Sequence, residues 1–103
     1  MAGIGYHTDA FNSSNWNFEQ CVEWAKDHGL GFIECGSIDG AAYIQALGFY
    51  PHISLLEDPV LWRRKLEKHG VQLSQIDAAY PLSRVDGLTV GVQYVQNAIR
   101  WAA

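Results

Sequence analysis

The sequence has no apolar run approaching the ~18 residues of a membrane span. Its N-terminus, MAGIGYHTDAF, carries neither a basic segment nor a long apolar one, so no signal peptide is read there. Basic residues are few: seven Lys and Arg stand against eleven Asp and Glu, for a net charge of −4. That balance speaks against a surface that tracks nucleic-acid phosphates. Arg63, Arg64, Lys65 and Lys68 do fall together, but such a cluster on a helix is ordinarily its solvated face. Cysteine is limited to Cys21 and Cys35. They lack CxxC or metal-ligand spacing and read as structural thiols in a reducing cytoplasm rather than as a disulfide. His7, His28, His52 and His69 are too far apart to form an HxxxH pair, so no zinc site follows. Neither GxGxxG nor GxxxxGK[ST] occurs, which weakens a nucleotide-binding reading, and no GxSxG elbow is found.

What remains is a chain of 103 residues, 49% apolar and 17% charged, the profile of one soluble globular domain. Three strand–helix units follow one another. The first starts near Ile4 and leads through a polar loop to FEQCVEWAKDHG, where Phe18, Cys21, Val22 and Ala25 make one helical stripe. Asn15 or Asn17 can cap its start, and Gly29 suits its end. The second opens with a short strand, Phe32 to Cys35, followed by the long connection SIDGAAYIQALGFYPHISLLE. Its helix is clearly punctuated: Asp58 as N-cap, Pro59 in the first helical position, Gly70 at the end. Leu61, Trp62, Lys65, Leu66 and His69 fall along one side. The third strand is VQLSQIDAAY, Val71 to Tyr80, and a helix from about Thr89 carries the stripe Val92, Val95, Ile99 and Ala102. Ser74, Gln75 and Asp77 interrupt this strand, so alternation does not fix its register. Strand–helix alternation of this kind predicts parallel strands in an α/β fold, a βαβαβα unit with strand order 1-2-3.

The last helix pattern runs to AIRWAA without a capping signal, and three parallel strands make a small sheet with two open edges. The expectation is therefore the front part of a longer protein. At about 35 residues per unit, eight units would make a (β/α)₈ barrel of the typical ~250 residues or more.

In parallel-strand α/β proteins, ligands meet the carboxyl ends of the strands and the loops that follow. Here that rule selects YHTDAFN, ECGSIDG and DAAYPLS, and within them Tyr6, His7, Glu34, Asp77 and Tyr80. Each has an ordinary alternative. His7 can bind a substrate hydroxyl or satisfy a loop carbonyl, and Tyr6 can bind or pack. Glu34 can orient a ligand or pair with a loop amide. Asp77 is costly to bury unpartnered, so it faces a polar opening or accepts from a backbone amide. Tyr80 precedes Pro81 at a rigid loop start. Cys35 reads as a space-filler.

Taken in order, GIGYHTDAF, CVEWAKDHGLGFIECG, LWRRKLEKHGVQLSQIDAAYPLS and DGLTVGVQYVQNAIRWAA resemble successive steps of the sugar phosphate isomerase/epimerase superfamily, the xylose isomerase-like TIM barrels. The resemblance covers the whole chain as the first three βα units. It implies proton transfer next to a carbonyl of a sugar or sugar phosphate. A divalent ion (Mn, Mg or Zn) would polarise that carbonyl and a carboxylate would take the proton. It also implies that metal ligands and catalytic glutamates stand beyond Ala103. Tyr6, His7, Glu34, Asp77 and Tyr80 would then be substrate-binding, and this chain alone would hold no metal and be inactive. In the endonuclease IV branch a histidine at the end of the third strand ligates metal; Ala79 or Tyr80 stands at the similar place here, a departure from that branch. Glu34 matches the family's second-strand glutamate.

Two other readings stand beside this one: a keto-sugar dehydratase of the same superfamily, and a complete small flavodoxin-like α/β binding module. The partners expected are a small-molecule sugar, with neither nucleic acid nor membrane, and further copies of the chain where sheet edges lie open.

Overall fold

Local signals start and stop the first two helices where they were read. The computed structural model describes residues 3–11, 16–38, 52–78 and 87–103. Helix α1 (Phe18–Asp27) begins at Asn17, whose side chain accepts from the Gln20 amide while the Gln20 side chain accepts from the Asn17 amide, each at 2.9 Å. This reciprocal pair satisfies two amides that the first helical turn leaves without partners. Helix α2 (Pro59–His69) is capped by Asp58, which accepts from Val60 N–H at 2.9 Å. Both helices end on a left-handed glycine, Gly29 at φ 70° and Gly70 at φ 69°. The following amides then turn back: Leu30 N–H donates to Ala25 O, and Val71 N–H to Leu66 O.

Strands β1 (Gly5–His7), β2 (Phe32–Ile38) and β4 (Gln72–Asp77) are parallel, with β2 pairing both others. This is the expected order, with the first strand at an edge rather than in the middle. A further strand, β3 (His52–Ser54), also pairs β2 in parallel. It lies within the segment read as connection, because three residues are too short for alternation to show. Gly36 of β2 pairs with His52 on one side and Asp77 on the other, and Phe32 pairs with Gly5 and Gln72. β1 and β3 therefore share one edge of β2, β3 taking over where β1 ends.

The register of β4 resolves its mixed polarity. Ile33 pairs with Leu73, but Glu34 pairs with Gln75, so a bulge at Ser74 shifts the alternation by one residue. Leu73 and Ile76 thereby both face the helices, although their spacing of three would set them on opposite faces of a regular strand. Gln72, Gln75 and Asp77 turn the other way. The Ser74 hydroxyl donates to Ile33 O at 3.2 Å, closing the bulge.

The three described helices cover one face of the sheet. Phe18, Cys21, Val22 and Ala25 of α1, Leu66 of α2 and Trp101 of helix α3 (Val92–Ala102) form one core with Ile33, Cys35, Ile53 and Val71. Phe18 and Trp62 meet edge to face at 4.9 Å, and Lys65 bridges from the Trp62 ring to Glu19. Leu61 is not part of this face; it is exposed.

A π-helical turn, Gly87–Gly91, precedes α3, whose inward stripe is also not the aliphatic one. Tyr94, Ala98 and Trp101 are buried, whereas Val92, Ile99 and Ala102 are exposed. The i, i+4, i+7 series wins because its two rings bury more surface and their polar tips find partners. Tyr94 OH donates to the Ser37 carbonyl, and Trp101 Nε1–H to Glu57 O at 2.9 Å. No helix of the described residues is long and apolar enough to cross a membrane.

Candidate functional site

Opposite the helices lies a sheet face of different chemistry. Alternation along β1 and β2 sends Tyr6 and Ile33 to the helix side and His7, Phe32 and Glu34 to the other. β4 adds Gln75 and Asp77 to that second face. His7, Glu34 and Asp77 thus meet from three adjacent parallel strands, His7 and Asp77 each being the last residue of its strand. His7 Nε2 stands 3.7 Å from Glu34 Oε1 and 3.8 Å from Asp77 Oδ2.

The other ring nitrogen fixes the tautomer. Asp9 N–H donates to His7 Nδ1 at 3.0 Å, and the Asp9 carboxylate lies 3.4 Å from the same atom. An accepting Nδ1 leaves the proton of the neutral imidazole on Nε2. The two carboxylates near Nε2 both lie beyond direct hydrogen-bond length. A hydroxyl seated beside them can accept from Nε2–H and donate to a carboxylate at once. Gly5, Tyr6, His7, Phe32, Glu34 and Ser74 line an open groove here, so an aromatic ring lies next to the polar cluster.

Tyr6 has a different position from the three. Its hydroxyl donates to Cys21 O at 2.6 Å, on the α1 side. Its ring packs edge-on against Phe11 and Trp24, and Phe11 in turn stacks on Trp16 at 4.5 Å. This cluster ties the 3-10 turn Thr8–Phe11 to α1, and with it the Asp9 amide that orients His7. Burial, reinforced by the Cys21 contact, pushes the Tyr6 phenol well above its ordinary range. Tyr80 and Ala79 lie outside the described residues.

Glu34 and Cys35, adjacent in sequence, sit on opposite faces. Cys35 and Cys21 are buried thiols of the helix-side core, and burial raises both above the ordinary thiol value. Ser37, also buried, exchanges a 3.0 Å contact with the Tyr94 hydroxyl and donates weakly to Asp77 O at 3.4 Å. It thereby links α3 to the strand end that carries Asp77. Sequence reading missed His52, which β3 places in the row beyond His7; strand pairing alone reveals it. Compared with protein-family models, curated proteins and solved structures, the chain matches none.

Proposed function

We propose that this chain supplies the first three strand–helix units of a (β/α)₈ barrel, a sugar or sugar phosphate isomerase or epimerase. In this reading its open sheet face is the substrate side of the barrel interior. The observation that carries it is the meeting of His7, Glu34 and Asp77 from three adjacent parallel strands, on the face away from every described helix. A barrel packs all its helices outside and opens its strand ends to substrate, whereas a doubly wound module divides its helices between both faces. The chemistry suits a polyol: two carboxylates accept from hydroxyls, Nε2–H donates, and the Phe32 ring offers an apolar surface for C–H groups.

The divalent ion expected of such an enzyme supplies polarisation of the substrate carbonyl. The donor set described here does not fit that ion. His7 Nδ1 is taken by the Asp9 amide and Nε2 carries the proton, so neither nitrogen offers a lone pair. His7, Glu34 and Asp77 instead position the substrate: they fix its hydroxyls and so the face of the carbon that loses its proton. Metal ligands and the proton-abstracting carboxylate then belong to later strands of the full-length protein. A keto-sugar dehydratase would use the same positioning.

The test is an assay of the full-length protein, supplied with manganese, magnesium or zinc, against ketoses and their phosphate esters. Proton exchange at the carbon next to the carbonyl is the readout. Exchange that is lost in Glu34→Gln supports the reading. Absence of exchange and of sugar binding across the panel would overturn it.

A further inference from the structure

Two indoles on different helices are held by one residue. Trp62 Nε1–H of α2 donates to Glu57 Oε2 at 3.1 Å, and Trp101 Nε1–H of α3 donates to the Glu57 carbonyl at 2.9 Å. The Glu57 carboxylate is fixed in turn, because the same Oε2 accepts from Ser54 N–H at 3.0 Å. Both rings are therefore oriented before anything binds. They line a groove of ≈ 290 Å³, together with Leu66, Val71 and Leu73. Its volume lies near the lower end of the ~300–1,000 Å³ of small-molecule sites. The groove belongs to the helix side of the sheet, whereas His7, Glu34 and Asp77 stand on the other side.

Two opposite charges line the same groove. Arg63 and Glu67 stand one helical turn apart on α2, the spacing at which such residues ordinarily pair. Here neither forms an ion pair, with the other or with any other described residue. Lys65 of the same helix, by contrast, is engaged by Glu19 and by the Trp62 ring.

We propose that this groove is a separate ligand site, which takes a free α-amino acid with an apolar side chain. The apolar side chain lies against the two indoles and Leu66. The α-carboxylate accepts from the Arg63 guanidinium, whose planar fork matches it, and the α-ammonium donates to Glu67. A ligand of one charge would satisfy one of these residues and be repelled by the other. A zwitterion satisfies both across a single carbon. The apolar walls disfavour a charged side chain, which would lose its hydration there without a partner. None of this depends on the sugar-site reading.

The experiment is titration of the 103-residue chain with L-leucine and L-phenylalanine, followed through the indole N–H resonances by NMR. Those of Trp62 and Trp101 should shift saturably, with Kd roughly 0.1–1 mM for so small a ligand. Trp16 and Trp24, which pack with Phe11, are internal references and should stay unmoved. Isoamylamine lacks the carboxylate and isocaproate lacks the ammonium; each should bind about three- to tenfold more weakly than L-leucine. Arg63→Gln and Glu67→Gln should weaken L-leucine by a similar factor. Both positions are exposed, so the variants keep the fold. Equal binding of leucine, isoamylamine and isocaproate would overturn the proposal and leave only an unselective apolar groove. Unchanged affinity in both variants, or no saturation by either amino acid, would also overturn it. The sugar-site reading is tested on other ligands and would stand or fall separately.

Discussion

The backbone amide of Asp9 donates to Nδ1 of His7 at 3.0 Å, and this contact decides what the imidazole can do. With Nδ1 accepting, Nε2 presents a proton toward Glu34 and Asp77. The ring is thereby a hydrogen-bond donor to whatever oxygen lies between the two carboxylates. It is poorly suited to ligate a metal, which would need the Nε2 lone pair.

On the reading proposed above, substitution of His7 by alanine in a full-length enzyme should separate two quantities. Sugar affinity should fall by about tenfold, the loss of one well-placed donor, while bound metal stays stoichiometric. Elemental analysis of the purified variant beside a binding isotherm reads both. Loss of the metal would make His7 a ligand and the tautomer assignment wrong.

Tyr6→Phe should act on stability and not on ligand. The hydroxyl removed is the one donated to Cys21 O, and a net hydrogen bond is worth about 1 kcal/mol. Urea denaturation should show that loss while sugar affinity is unchanged. A variant of normal stability with weakened sugar binding would place Tyr6 in the site instead.

How much of this was legible in the sequence depends on the kind of signal. Asn17, Asp58, Pro59, Gly29 and Gly70 act through bonds within a few residues, so helix limits were readable. The convergence of His7, Glu34 and Asp77 followed from the strand-end rule alone. The α3 stripe was misread because two apolar series share that helix, and only the polar tips of Tyr94 and Trp101 choose between them. The inward facing of Leu73 and Ile76 was hidden because it depends on a bulge, which sets register against a partner strand. His52 was hidden for the same reason: its face is fixed by pairing with Gly36 of β2, which no local pattern shows.

Cys35 gives the fold a pH dependence of definite sign. Burial, with further contributions from Glu34, Cys21 and Asp77, raises its thiol above the ordinary value of 9.0. The folded state then holds this proton more tightly than the unfolded chain. Stability from this group is complete below pH 9.0 and is lost as pH climbs toward the folded value. Denaturant midpoints should fall from neutral pH to about pH 10, and Cys35→Ala should lessen the fall. Cys21 and Tyr6 shift in the same direction, so part of the slope remains. A midpoint that rises with pH over this range would contradict the buried, neutral thiol.

Gly5 is required by contact rather than by its backbone angle. A Cβ at this position would stand 2.5 Å from the Phe32 carbonyl oxygen and 2.7 Å from Phe32 Cβ. Both belong to or adjoin the β2 main chain, so β1 must move away. Gly5→Ala should cost about 1–3 kcal/mol, the usual range for overpacking. It should also weaken sugar binding, since His7 lies two residues on in the same strand. Unchanged stability in denaturant would show that β1 is not held against β2 as described.

The segment Met1–Ala103 on its own should neither hold a catalytic metal tightly nor isomerise a sugar. A tight site needs three or four ligands converging with an open position. Among the described residues no group of three His, Cys, Asp or Glu side chains is placed to hold an ion. His7 donates rather than accepts, and the Asp77 side chain is 51% exposed, so water competes at that carboxylate. Calorimetric titration of the segment with manganese should therefore give only weak heats. Incubation with ketoses in deuterated water should give no exchange at the carbon beside the carbonyl. Micromolar manganese binding together with exchange, in a preparation shown to be monomeric, would mean that His7, Glu34 and Asp77 are themselves the reaction centre.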